Sequence, residues 1–277
     1  MNRSIIFTVV YLSVVLGCAA MFGSCTRNNA EAAQEKLVLD GLKKGELPPP
    51  PDDKPLIKLA ANGAVNELKS RLRTKEQAND TTQWGLTALH YAAAAGHASV
   101  ARLLIERGAD MNKKAIVEYS FVENKENKAI QGAYKPIDLA VLRGRQEIVA
   151  LLIEQGAGNL DLTSALHNAV SSRNTPMAKM LIEKGANVDA LEAGGPFAHT
   201  PLHLAVLMGD ADMVKLLLSK GADINARTLY GAKPSSLVER LTGRINYGKR
   251  GNTPLGIAQM EGHTEIVQIL KAHGAKE

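Results

Sequence analysis

Apolar residues recur along this chain in short runs of helical spacing, and the runs come in pairs. The clearest pair lies between Thr200 and Asn225, which reads TPLHLAVLMGDADMVKLLLSKGADIN. Thr200 can N-cap a helix whose first residue is Pro201, where a missing N–H costs nothing, and Leu202, Ala205 and Val206 fall on one face. Gly209 permits the left-handed backbone of a sharp reversal. Asp210 can then cap a second helix with the apolar stripe Met213, Val214, Leu217 and Leu218. Lys215 and Lys220 stand toward its C-terminus and complement the helix dipole, and Gly221 ends it before an exit turn from Ala222 to Asn225.

The same pattern recurs as TALHYAAAAGHASVARLLIERGADMN from Thr87, KPIDLAVLRGRQEIVALLIEQGA from Lys135, SALHNAVSSRNTPMAKMLIEKGANVD from Ser164 and TPLGIAQMEGHTEIVQILKAHGA from Thr253. A weaker copy, PLIKLAANGAVNELKSRL, begins at Pro55. TPLH, a glycine-centred reversal, a V-x-x-L-L helix and G-A-D-x-N together resemble the ankyrin repeat, and placing Leu56 opposite Leu89 matches its period of about 33 residues. The resemblance covers residues 55–277 and implies an all-α ankyrin solenoid of about six repeats, the first and last acting as caps. The first copy carries Leu59 where its neighbours place Ala92 or Ala205, a departure that a terminal cap tolerates.

Two stretches exceed the period. Residues 113–134 add roughly 15 residues, and alternation of Ile116, Glu118 and Ser120 with Val117, Tyr119 and Phe121 predicts a strand, with ENKEN as the tip of a hairpin. Residues 226–252 add roughly 20 and are basic, with Arg227, Lys233, Arg240, Arg244, Lys249 and Arg250 against Glu239 alone. Within them Ser236 and Glu239 form a capping box that predicts a short helix from Leu237 to about Thr242. Two repeats also depart from the pattern. The third begins with Lys135 and Asp138 in place of threonine and histidine, so its first helix is expected to be less firmly capped. The fourth has Arg173 where the others have Gly96, Gly144, Gly209 and Gly262. Either Arg173 or Asn174 must then turn left-handed, Asn174 at the lower cost, with Thr175 and Pro176 restarting the helix as N-cap and N1.

Residues 1–24 read as a leader. Asn2 and Arg3 precede an apolar run from Ile5 to Phe22, longer than the usual core of a signal peptide and near the minimum for a membrane span, and both readings export the remainder of the chain. VLGC ending at Cys18 and FGSC ending at Cys25 both resemble the bacterial lipobox, whose cysteine is acylated and becomes the new N-terminus. Cys25 is favoured because polar TRNNAEAAQ comes directly after it, whereas acylation at Cys18 leaves an apolar tail and an unpaired Cys25. An uncleaved anchor or an ordinary signal peptide is the alternative. Residues 25–54 then form a polar tether with one short helix from Ala30 to Lys44 and a proline run, Pro48 to Pro51, that favours an extended spacer. If the sorting habits of such lipoproteins apply, Thr26 after Cys25 points to the outer membrane, facing the periplasm.

Composition narrows the chemistry. Hydrophobic residues make up 45% of the chain and aromatics only 4%, so the core must be built from Leu, Ile, Val and Ala. Cys18 and Cys25 are its two cysteines, which leaves residues 55–277 without a thiol for a disulfide, a metal or a nucleophile. Of seven histidines, His90, His167 and His203 occupy the TPLH position and His97 and His263 come after the reversal glycine. His199 and His273 remain, without ligand spacing. There is no GxSxG, HExxH, P-loop or Rossmann glycine pattern, and the G-A-D triplets read as turns, so no enzyme activity, cofactor or metal is expected.

Past the leader, Trp84, Tyr119, Phe121, Tyr134, Phe197, Tyr230 and Tyr247 lie between repeats, and Tyr91 does not. The resemblance implies that these segments are finger loops beside the concave face made by the first helices, a surface that commonly grips proteins, and aromatics are enriched at binding hot spots. These seven rings, with Arg240 and Arg244, are therefore the candidate contacts to a protein partner, although packing of the inserts onto the stack accounts for some of the rings. The chain is expected to be a monomeric scaffold, and its layout also resembles that of periplasmic immunity proteins that cover a toxin, an analogy carried by no single residue. The alternative function is attachment of the basic insertion to lipid headgroups, lipopolysaccharide or nucleic acid. A net charge of +5 without a defined patch does not by itself call for nucleic acid.

Overall fold

The computed structural model describes residues 47–123, 126–156, 160–191, 197–230 and 252–276. The leader, Cys18, Cys25, the helix expected at 30–44, the helix expected at 237–242, and Arg240, Arg244 and Tyr247 lie outside those residues.

Six helix pairs succeed one another among the described residues. They are α1 (Pro55–Ala61) with α2 (Val65–Arg71), α4 (Ala88–Ala95) with α5 (Ala98–Glu106), α6 (Pro136–Leu142) with α7 (Gln146–Gly156), α8 (Thr163–Ser171) with α9 (Thr175–Glu183), α10 (Pro201–Leu207) with α11 (Ala211–Ser219), and α12 (Pro254–Met260) with α13 (Thr264–Ala272). One extra turn of helix, α3 (Lys75–Ala78), lies between the first two pairs. Each first helix packs on the next, from α1 through α4, α6, α8 and α10 to α12, so that the core is one continuous aliphatic layer. Leu89, Ile137, Leu166 and Leu202, at equivalent positions of four repeats, are fully buried. Leu59, in the end repeat, is half-buried where Ala92 and Ala205 are enclosed.

Local chemistry shapes each pair. Thr200 Oγ1 accepts from His203 N at 3.4 Å while His203 Nδ1 accepts from Thr200 N at 3.3 Å, so two orphan amides at the start of α10 are satisfied reciprocally. Asp210 caps α11 by accepting from Met213 N at 3.0 Å. Gly209 takes φ +65°, and a Cβ there would stand 2.9 Å from the His263 ring, so the reversal needs glycine both for its backbone and for the close approach of the next repeat. The same device recurs where the His97 ring lies against Gly63.

The two departures have different outcomes. Arg173, not Asn174, is left-handed, with φ +53°. Asn174 is the N-cap of α9 and accepts from Met177 N at 3.1 Å, a role that requires negative φ, which makes Thr175 and not Pro176 the first helical residue. The guanidinium of Arg173 donates to Met208 O in the next repeat. The third repeat keeps one half of the reciprocal cap, since the Lys135 ammonium has no lone pair to accept the Asp138 N–H. The Asp138 carboxylate takes over from histidine, accepting from Lys135 N at 2.8 Å and from Ser164 Oγ at 2.7 Å.

The first insertion is a hairpin, with β1 (Ala115–Glu123) antiparallel to β2 (Glu126–Tyr134) and Glu123 opposite Glu126 at its end. Two shorter strands pair across neighbouring repeats. In these, β3 (Phe197–Ala198) and β4 (Leu229–Tyr230) are antiparallel, with Phe197 opposite Tyr230.

Candidate protein-binding surface

The finger edge is held to the stack by the histidines of the first helices. His90 Nε2 lies 3.1 Å from Tyr134 O, His167 Nε2 3.0 Å from His199 O, and His203 Nε2 3.0 Å from Asn252 O. Each acceptor immediately precedes the residue that opens the next repeat. In His90 and His203 the Nδ1 atom accepts from a backbone N–H, of Thr87 at 3.0 Å and of Thr200 at 3.3 Å, which leaves Nε2 to carry the proton and donate. Burial accordingly drives both imidazoles down to about 4. The sixth repeat has Gly256 at this position, and Thr253 Oγ1 accepts from its N–H at 3.2 Å. His199 is not isolated, since its carbonyl is the acceptor for His167 and its ring stands edge-on to His203 with centroids 6.4 Å apart.

The G-A-D-x-N segments are hydrogen-bonded turns. Asp110 Oδ1 accepts from Asn112 N at 2.8 Å and Asp223 Oδ1 from Asn225 N at 2.9 Å. They also stitch neighbours together, with Asn79 Oδ1 accepting from Asp110 N at 2.7 Å and Asp189 Oδ1 from Asp223 N at 2.8 Å. No group of His, Cys, Asp and Glu able to hold a metal occurs among the described residues.

The aromatic candidates fall into distinct situations. Trp84 is half-buried against the core, in a tight turn where Gly85 N donates to Thr82 O at 3.0 Å. Tyr134, at the foot of β2, is likewise half-buried against the core. Tyr119 and Phe121 lie in β1, opposite Ile130 and Lys128. Phe197 and Tyr230 come from different fingers and are brought into register opposite each other by β3 and β4. The base of the second insertion is closed just beyond, where Thr228 N donates to Asn252 O at 3.1 Å and Asn252 N to Thr228 Oγ1 at 2.9 Å. The pairing of β3 with β4 ties the start of the second insertion to the finger that precedes it.

The first-helix face carries a feature that the sequence pattern did not announce. Leu47 to Pro50, the end of the expected tether, lies on this face with Ala61, Tyr91, Ala94, Ala95, Arg143 and Arg145, around a pocket of about 270 Å³. Tyr91 is 4% exposed and its hydroxyl donates to Pro48 O at 3.0 Å. Arg145 Nε donates to Ala94 O at 3.2 Å, which fixes one wall. A signal existed, since Tyr91 is an aromatic on a first helix rather than in a finger. At the far end of the stack Met260 is 44% exposed, on the last first helix.

Comparison with known proteins agrees with this geometry. A family model for ankyrin repeats (3 copies) matches residues 19–115, 115–192 and 137–228, and one for a single ankyrin repeat matches residues 250–276. The fold is similar to an ankyrin repeat domain from Acinetobacter baumannii AYE, with 28% identity over 81% of this chain and 100% of that one and a TM-score of 0.57. It is similar also to the human ASB11 ankyrin repeat domain, with 25% identity, 80% and 84% coverage and a TM-score of 0.54. The ankyrin repeat domain of Bcl-3, a unique member of the IkappaB protein family, shares the fold at 23% identity, 80% and 86% coverage and a TM-score of 0.60. No curated protein matches the chain.

Proposed function

Since the chain belongs to the ankyrin repeat family, a family of general protein-interaction scaffolds, we propose that it is a non-enzymatic binder, exported and held at a membrane, that grips a protein partner through its finger edge and first-helix face. The observation that carries this reading is the hairpin β1–β2. It inserts nine-residue arms between α5 and α6, yet α4 packs directly on α6, so the stack is continuous beneath it and the hairpin is additional to what folding needs. A surface elaborated without structural need is a candidate for recognition. Tyr119 and Phe121 in the hairpin, and Phe197 and Tyr230 in the second finger pair, are the proposed anchors. Tyr247, Arg240 and Arg244 extend the same proposal into the second insertion. Trp84 and Tyr134, half-buried on the core, contribute less.

For localisation, the proposal is acylation at Cys25 and retention on the periplasmic side of the outer membrane. Several acyl chains on one cysteine would hold the protein stably, where a single chain binds marginally. Mass spectrometry of the membrane fraction checks it, with an acylated Cys25 at the N-terminus expected and an unmodified Cys25 overturning it.

The test of the binding reading is to purify the exported form with its captured protein and to compare a trimmed chain. Trimming should remove residues 116–133 and 231–251 and keep the Thr228–Asn252 pairing, which leaves the anchor of His203 intact. Helical circular dichroism and unfolding cooperativity are expected to stay nearly unchanged while capture weakens strongly, since only Phe197 and Tyr230 of the four anchors remain. Capture at full affinity by the trimmed chain would place the interface elsewhere. Attachment that instead collapses with rising salt would favour the anionic-surface reading of the basic insertion.

A further inference from the structure

We propose that the first-helix face over Tyr91 is a binding groove for an extended, proline-rich peptide, and that Leu47–Pro50 of the chain itself is its resident occupant. The proposal rests on the reading of this protein as a binding scaffold and names the chemistry of one of its ligands.

The segment Leu47–Pro50 runs along the groove, and a turn closed by Lys54 N donating to Pro51 O at 3.2 Å begins where the proline run ends. Leu47, Pro48, Pro50 and Pro51 are half-buried, whereas Pro49 and Asp52 are exposed. A polyproline II helix has three residues per turn, so Pro49 outward with Pro48 and Pro50 toward the groove fits a single turn of one. Consecutive prolines, with φ locked near −65°, reach this conformation with little loss of entropy.

The groove is shaped for it. Ala61, Ala94 and Ala95 give a shallow floor, whereas the third and fifth repeats carry the bulkier Leu142 and Leu207 at the position of Ala94. Proline offers carbonyl acceptors and no N–H donors, and the groove answers with a donor, the Tyr91 hydroxyl on Pro48 O at 3.0 Å. An aromatic ring that packs on prolines and donates to the carbonyl between them is the chemistry by which extended proline segments are recognised. Leu47 packs against the core at one end of the segment. At the other end Lys58 Nζ pairs with Asp52 at 2.6 Å and Lys54 Nζ with Asp80 at 2.9 Å, which set the point where the segment joins α1. A concavity of about 270 Å³ adjoins the segment beside Arg143 and Arg145.

Because the occupant is covalently attached at a high effective concentration, a free peptide must displace it. The full chain with Leu47→Gly and Pro50→Gly should release the groove while leaving every repeat intact. The probe is a labelled synthetic peptide with the sequence of residues 47–53, LPPPPDD, observed by fluorescence anisotropy. The released chain should bind it at least about tenfold more tightly than the unaltered chain does. Adding Tyr91→Phe to the released chain should weaken binding about three- to tenfold, the worth of one neutral hydrogen bond, with helical circular dichroism unchanged. A peptide with glycine at the positions of Pro48, Pro49 and Pro50 should bind at least about tenfold more weakly. No binding by the folded, released chain, equal binding of the glycine peptide, or equal affinity of the released and unaltered chains would each overturn the proposal. The assay does not involve the partner of the finger edge. Failure of the groove and failure of the finger reading therefore give separate results.

Discussion

Lys135 Nζ lies 2.8 Å from Asp161 Oδ2, with the lysine side chain only 6% exposed and the aspartate 62% exposed. The same ammonium donates to Asp161 O at 3.0 Å. Together with Asp138 and Ser164 this pair replaces, at the junction of the third and fourth repeats, the threonine–histidine pair used by the second and fifth. A charged network thus does locally what a neutral one does elsewhere, and the junction becomes sensitive to acid.

The hydrogen bond from Lys135 holds the Asp161 carboxyl at about 2, below the ordinary 3.8. A depressed carboxylate stabilises the fold above its unfolded pKa and loses that contribution as pH falls through the folded value, here between about 4 and about 2. Asp161→Asn is therefore expected to cost about 1 kcal/mol at pH 7, since the exposed carboxylate is partly screened, and almost nothing near pH 2. Urea unfolding of both forms across that range checks it. A cost that is the same at both ends would show that the lysine is held by the backbone carbonyl alone. Burial pushes Asp138 in the opposite direction, upward, so its contribution is full at low pH and is lost as pH rises through the folded pKa.

The buried histidines act in a second, higher window. His90 and His203 are lowered from 6.5 to about 4, so between those values the unfolded chain binds protons that the folded chain refuses. Stability should fall as pH is lowered through that interval, by up to about 3 kcal/mol for each ring. Replacing both with glutamine should lower stability at pH 7 but flatten its decline between pH 6.5 and about 4. A double variant with the same slope as the parent would remove these two rings as its cause.

Arg173 turns left-handed at φ +53°, at a position where the other repeats place Gly63, Gly96, Gly144, Gly209 and Gly262. Left-handed backbone costs a side-chain-bearing residue about 1–2 kcal/mol, and the exposed bond from its guanidinium to Met208 O returns only part of that. Arg173→Gly should accordingly stabilise the fold by about 0.5–1 kcal/mol, read as a higher midpoint in urea at unchanged slope. A lower midpoint would mean that the bridge to Met208 outweighs the strain.

The amino-acid sequence by itself determined the features closed within a few residues. Thr200 and His203, Asp210 and Met213, and the reversal at Gly209 are hydrogen bonds and dihedral preferences between near neighbours, and repetition made them plain. The hairpin of the first insertion was visible for the same reason, through alternation at period two. The capping box of Thr74 with Gln77 is equally local and starts a helix of only four residues. Tertiary structure alone decided the contacts that span a repeat or more. It chose Arg173 over Asn174 because Asn174 was needed as a cap and Met208 stood ready in the next repeat. It set Phe197 opposite Tyr230, and it laid Pro48 against Tyr91 across 43 residues. Such contacts depend on where stacking places the backbone of a neighbouring unit, which no local preference encodes.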